Sequence, residues 1–193
     1  MTNKNIIIRS ASLQDAQELL NIYAPYVENT AITFEYDVPS IEEFTSRIQK
    51  TQKKYPYLVA EQDGEILGYA YAGAYYGRAA YDWAVETSIY LRMDQKGKGL
   101  GRVLYEALEN ALKKQNILNL YACIAYPEIE DEYLTKNSVD FHDHLGYRLI
   151  GEFRKCGYKF NRWYNMVWME KFIGEHVDNP EPVVAYEKVM EKR

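Results

Sequence analysis

The chain has 193 residues, 47% of them apolar, and its 23 basic and 28 acidic side chains give a formal charge of -5 at neutral pH. That length and apolar content suit one domain with a substantial core and argue against a disordered chain. The acidic balance argues against a general nucleic-acid-binding surface, and no run of about 18 apolar residues suggests a membrane span.

Met1 to Asn5 is polar and runs straight into Ile6-Ile7-Ile8, without the apolar stretch of a signal peptide, so a cytoplasmic location is expected. Ile6 to Arg9 reads as a short buried strand. Ser12-Leu13-Gln14-Asp15 resembles a capping box, and Ala16, Leu19, Leu20, Tyr23 and Val27 give the helix after it one apolar face. Ser40-Ile41-Glu42-Glu43 opens a second helix, with Phe44 and Ile48 inward. Tyr57 to Glu61 and Ile66 to Tyr71 flank Asp63-Gly64, a strong hairpin signal. Trp83 to Leu91 is rich in β-formers.

Lys96-Gly97-Lys98-Gly99-Leu100-Gly101 then leads into a helix whose Leu100, Val103, Leu104, Ala107, Leu108, Ala111 and Leu112 follow helical spacing. Leu118 to Ala125 reads as a strand, Pro127 to Asn137 as an acidic loop, and Ser138 to Leu145 as a short helix closed by Gly146. Tyr147 to Phe153 and Trp163 to Met169 form a last pair of strands. Asp178-Asn179-Pro180-Glu181-Pro182 breaks structure, and Val183 to Lys192 is expected to be helical. The order β-α-α-β-β-β-α-β-α-β-β predicts an α/β fold: one domain over residues 1–173 with a mixed twisted sheet of six or seven strands flanked by helices, and an extension over 174–193.

The two cysteines, Cys123 and Cys156, form no CxxC pair or metal-ligand cluster, so no metal is expected and both read as buried small hydrophobes. The 19 tyrosines, against 6 phenylalanines, are expected to border a wet cleft or an interface.

A glycine-rich turn feeding a helix N-terminus makes an anion site, because free N–H groups and the helix dipole both favour phosphate oxygens. Gly97, Gly99 and Gly101 let the backbone approach a pyrophosphate, and Lys96, Lys98 and Arg102 add positive charge. The loop is not a Walker loop, which ends GK[ST]. It is not a dinucleotide GxGxxG either, since Arg102 or Leu104 would have to be glycine.

A Gly99-Leu100-Gly101 turn after a strand and before an amphipathic helix resembles the acetyl-CoA pyrophosphate loop of the GNAT superfamily. Tyr57 to Glu61, Gly68 to Gly73, Arg78-Ala79-Ala80-Tyr81-Asp82-Trp83-Ala84-Val85-Glu86, Phe141 to Tyr147 and Gly157-Tyr158-Lys159 resemble the phosphinothricin N-acetyltransferase-like subfamily over about residues 5 to 173. The resemblance implies a GNAT-type fold, acetyl-CoA as cosubstrate, a small-molecule amine acceptor and a homodimer. The strand Ser88, Ile89, Tyr90, Leu91 would offer backbone groups to the pantetheine arm. The subfamily's asparagine falls on Thr135 by position; Asn137, beside Ser138, is the nearby asparagine.

Acetyl transfer to an amine needs a base, because an alkylamine arrives protonated at neutral pH. Glu86, in an otherwise apolar strand, is the candidate; its plain alternative is a solvated edge residue. The resemblance places His142 as proton donor to the leaving thiolate, against the alternative of a helix histidine bonded to a neighbour. Arg78 lies on the approach to Glu86 and suits carboxylate, phosphinate or sulfonyl oxygens. Phe34, Tyr76 and Tyr81 are expected to line the same acceptor pocket. Tyr76 stands where phosphinothricin-acetylating members commonly carry a second basic residue, which makes methionine sulfone or sulfoximine comparable acceptors. A peptide or protein N-acetyltransferase and a non-catalytic CoA-binding module are the competing readings.

Overall fold

A computed structural model of the chain describes residues 6–190. The readings for Met1 to Asn5, and for the last three residues of the tail, lie outside the described residues. The strands are β1 (Ile7–Ser10), β2 (Tyr57–Gln62), β3 (Glu65–Ala74), β4 (Ala84–Leu91), β5 (Asn119–Tyr126), β6 (Arg148–Lys159) and β7 (Arg162–Phe172). The helices are α1 (Ala16–Asn29), α2 (Ile41–Gln52), α3 (Leu100–Lys114), α4 (Asn137–His144) and α5 (Tyr186–Met190).

The sheet runs β1-β2-β3-β4-β5-β7-β6. Every neighbouring pair is antiparallel except β4 and β5, which are parallel. That pairing covers only Ala84↔Asn119, Val85↔Leu120 and Glu86↔Tyr121. Beyond Glu86 the two strands part, and the sheet carries a gap along half of β4.

Local chemistry sets the boundaries. The Asp15 carboxylate accepts the Ser12 N–H at 2.6 Å, and α1 follows a short 3-10 turn. Ser40 caps α2 by accepting the Glu43 N–H at 3.2 Å. Asp63 and Gly64 both take positive φ, 54° and 84°, as a two-residue hairpin with right-handed twist requires. Gly146, at φ 87°, closes α4.

One face of the sheet packs on α3 through Leu104, Leu108, Leu112, Val85 and Leu120. The other packs on α1 and α2 through Leu19, Phe44, Ile48 and a layer of tyrosines. Here the expectation of cleft-side tyrosines holds only for part of them: Tyr75, Tyr81, Tyr105 and Tyr121 line cavities, and others fill this layer. Tyr57 stacks on Tyr71 at 4.8 Å and on Tyr69 at 5.5 Å, and Tyr90 packs edge-on against Tyr23 at 4.9 Å. Stacked rings fill a half-layer as phenylalanines would, and the Tyr23 and Tyr26 hydroxyls bond Glu35 and the Leu91 carbonyl.

The expected tail helix is realised only as α5 within the described residues. Its approach is tied down by Trp83, which donates to the Glu181 carbonyl at 2.8 Å, and by Gln115, which donates to Val184 at 2.7 Å. Tyr186 is buried in the α3 core. No described helix is long and apolar enough to cross a membrane.

Candidate active site

The gap between β4 and β5 opens into a narrow cavity of about 60 Å³, lined by Thr87 to Tyr90, Ala122 to Ala125, Tyr105, Ser138 and His142, with Ile32 and Leu134 at one wall. Glu86 is the last paired residue of β4, one position before Thr87 on the cavity wall. The β3–β4 register (Tyr90↔Tyr69, Ser88↔Tyr71) and the Arg92 N–H to Leu67 carbonyl bond turn the backbones of Tyr90 and Ser88 toward β3. Ile89 therefore turns its N–H and C=O into the gap. Leu91 faces the same way, but its carbonyl accepts the Tyr26 hydroxyl at 2.6 Å. Of the four residues Ser88 to Leu91, Ile89 is the one whose backbone is free to meet a ligand arm.

Burial raises the Glu86 carboxyl above the ordinary glutamate range. Among the described residues it has no hydrogen-bond or ion-pair partner. Tyr71, Tyr75 and the Cys123 thiol are raised by burial first, and the Glu86 charge adds to each. A raised, unpaired carboxylate beside a cleft is equipped to take a proton.

His142 is buried in α4. Its Nδ1 lies 2.7 Å from the Ser138 carbonyl, which can only accept, so Nδ1 carries the ring proton. Nε2 then accepts from the Tyr105 hydroxyl at 2.8 Å. Burial pushes the ring down to about 4, with the Ser138 carbonyl opposing, so at neutral pH it has no proton to give at Nε2. The group with a proton beside the cavity is Tyr105, which sequence reading missed; that one proton rests on Nε2 and must leave it to reach a ligand. Tyr105 sits one residue after Leu104 on α3, where a tyrosine reads as core, and it is core and cavity wall at once.

The glycine loop divides its labour. Gly97 and Gly99 take φ 74° and 82° with open space where a side chain would stand, so they shape the turn and expose the first N–H groups of α3. Gly101 also makes room for packing: a Cβ there would lie 2.9 Å from the Phe141 ring. Lys96 reaches over the Tyr26 ring at 4.6 Å, and Lys96, Lys98 and Arg102 are all exposed. Asn137 and Ser138 open α4 on the far side of the gap; Thr135 lies before that helix.

The other acceptor-side residues fall into two groups. Tyr76 and Tyr81 pack at 5.4 Å and both meet Tyr75, which stacks on Tyr121 at 4.4 Å. Arg78 is exposed in the same β3–β4 loop, without a partner among the described residues. Phe34 lies apart, in the α1–α2 loop, beside Ala31, Ala125, Leu134 and Tyr164. The acidic segment is folded rather than loose. Asp131 accepts the N–H groups of Tyr133 and Leu134 and the Tyr164 hydroxyl, and pairs with Arg162 at 2.9 Å.

The expectation of buried cysteines is corrected: both are exposed, because Cys123 faces the cleft where the sheet parts and Cys156 lies on the outermost strand. The cleft walls and Glu86 nonetheless push the Cys123 thiol up to about 12, which removes it as a thiolate nucleophile.

An acetyltransferase (GNAT) domain model matches residues 8–168. The chain belongs to the GNAT acetyltransferase family. It is an acetyl-CoA-dependent N-acetyltransferase. A phosphinothricin N-acetyltransferase from Streptomyces viridochromogenes is 33% identical over 177 residues, covering 91% of this chain and 92% of its own. An L-methionine sulfoximine/L-methionine sulfone acetyltransferase from Pseudomonas aeruginosa is 34% identical over 165 residues, covering 84% and 92%. The crystal structure of a phosphinothricin acetyltransferase from Sinorhizobium meliloti, in complex with acetyl-CoA, superposes with a TM-score of 0.82 at 30% identity over 94% of this chain and 98% of that one.

Proposed function

We propose that this GNAT member acetylates the primary amine of a small amino-acid-like acceptor of the phosphinothricin, methionine sulfone or methionine sulfoximine type. The observation that carries the reading is the unpaired, raised carboxyl of Glu86 at the point where β4 and β5 part. The residues fit acetyl-CoA: the α3 N-terminus behind Gly99 suits the pyrophosphate, and the inward backbone of Ile89 suits the pantetheine amides. When bound, acetyl-CoA supplies the acyl group as an activated thioester.

Glu86 takes the proton of the acceptor ammonium, directly or through water, and so exposes the nucleophilic lone pair. The Ile89 N–H is the donor placed to polarise a carbonyl in the gap. Tyr105 turns its one hydroxyl proton from Nε2 of His142 to the leaving sulfur as negative charge develops there, which breaks the bond to the imidazole. Burial raises the phenol above its ordinary range, so it stabilises a thiolate by a hydrogen bond rather than by complete transfer. His142, held neutral by Ser138, orients that hydroxyl. The raised Cys123 thiol favours direct transfer over an acetyl-cysteine intermediate.

Arg78, exposed at the start of the 3-10 turn Ala79–Tyr81 and with no side-chain partner among the described residues, is the cation assigned to the acceptor's acidic or sulfonyl group. Arg78→Ala should raise KM for such an acceptor roughly 10- to 100-fold, the worth of a hydrogen bond to a charged group. KM for acetyl-CoA should hold. An unchanged acceptor KM removes Arg78 from the site.

A homodimer belongs to the same reading. The outer hairpin of β6 and β7 exposes Leu149, Ile150, Phe153, Tyr158 and Trp163, an apolar edge that an isolated chain seldom presents. Light scattering at micromolar concentration should return twice the chain mass, and a monomer would contradict the dimer.

A further inference from the structure

Lys159 ends β6, and it is 4% exposed, a rare state for a lysine. Its Nζ meets three backbone carbonyls: Val27 at 2.7 Å, Thr30 at 2.8 Å and Thr33 at 2.9 Å. Three acceptors demand three N–H donors, which the ammonium has and the neutral amine lacks. The nearest opposing charge is Glu35, and it acts from a distance; no carboxylate ion-pairs with this lysine among the described residues. The charge is instead carried by carbonyls, one of which belongs to the last turn of α1, the negative end of that helix. Lys159 therefore closes α1 from 130 residues away and gathers the chain after it.

The hairpin is shaped for this. Phe160 and Asn161 both take positive φ, 51° and 59°, an uncommon state for a phenylalanine. Phe160 is held there by stacking on Tyr133 at 4.1 Å. Two residues before Lys159, Gly157 leaves the space that Phe34 occupies: a Cβ at Gly157 would overlap the Phe34 ring. The Tyr36 hydroxyl donates to the Tyr158 carbonyl. The segment Thr30 to Tyr36 is thus clamped from both sides by residues 157–159. It borders the site, because Ile32 lines the β4–β5 cavity and Phe34 packs in one cluster with Ala125 and Leu134, which line it too.

We propose that Lys159 is a positioning residue for the acceptor, gathering the carbonyls of Val27, Thr30 and Thr33 so that Phe34, seated on Gly157, forms a fixed wall of the acceptor cleft. This rests on the reading of Phe34 as part of that wall. The test is Lys159→Met, which keeps the length and removes the donors. Hydrogen exchange at Ile32 to Glu35 should speed up. KM for L-methionine sulfone should rise by about tenfold or more, as for a displaced positioning group, while KM for acetyl-CoA holds. Exchange at wild-type rates would overturn the clamp. Phe34→Ala separates the two claims. If it raises the acceptor KM and Lys159→Met does not, the clamp is wrong and the wall stands; if it leaves the acceptor KM alone, the wall fails and the proposal with it. Should Lys159→Met not fold, Gly157→Ala displaces Phe34 without touching the ammonium. An unchanged acceptor KM in that variant overturns the proposal as well.

Discussion

Glu86→Gln should lower kcat by about 10²- to 10⁴-fold, the range for loss of a general base, with KM for acetyl-CoA held within a few-fold. The amide keeps the shape and removes proton affinity. The pH dependence has a definite sign. A base must be ionised to act, and burial raises the Glu86 carboxyl. Wild-type activity should therefore fall as pH falls through a value above the ordinary glutamate range, and that limb should vanish in the variant. Stability runs the other way. A carboxyl whose pKa is raised on folding binds its proton more tightly in the folded state, so its ionised form costs stability above the unfolded pKa. Glu86→Gln removes that cost, and its Tm at pH 7 should equal or exceed the wild type. A variant with low kcat and a low Tm would point to a structural role instead.

The second large effect belongs to Tyr105. Tyr105→Phe should reduce kcat by about 10²-fold, the low end for loss of a positioned proton donor, because a thiolate leaves tolerably without help. His142→Ala should cost less than Tyr105→Phe, since it removes the group that orients the hydroxyl and leaves the hydroxyl itself. In wild type no activity limb near the ordinary histidine range should come from His142, whose ring is pushed down to about 4. If His142→Ala proves more damaging than Tyr105→Phe with acetyl-CoA still bound, the proton passes through the imidazole and the assignment reverses.

The sequence made the frame of the site legible and left its interior obscure. The apolar spacing of α3, the Asp63-Gly64 turn and the isolated Glu86 each reflect a local rule, and each appears where the rule put it. Tyr105 obeys a local rule too, since a tyrosine beside a leucine stripe reads as core, and its contact with Nε2 of His142 arises only when α3 and α4 meet. Lys159 runs against the rule for lysines: its three carbonyls come from a helix end and loop more than a hundred residues earlier. The cysteines misled for a related reason. A small apolar residue on a central strand is normally covered, but β5 borders a gap in its own sheet. Gly101 reads as a ligand-approach glycine, and it also makes room for Phe141, a contact between helices that spacing cannot show.

The central claim is direct acetyl transfer to an amino-acid-type amine at the parting of β4 and β5. It is tested most directly by following thiol release from acetyl-CoA against a panel of amines, with mass analysis of product and enzyme. The account predicts turnover of L-methionine sulfone, L-methionine sulfoximine or phosphinothricin, one acetyl group on the acceptor amine, and no acetyl group left on Cys123 of the enzyme. Thiol release with peptides alone, with none of the amines, or through an acetylated Cys123 would contradict it.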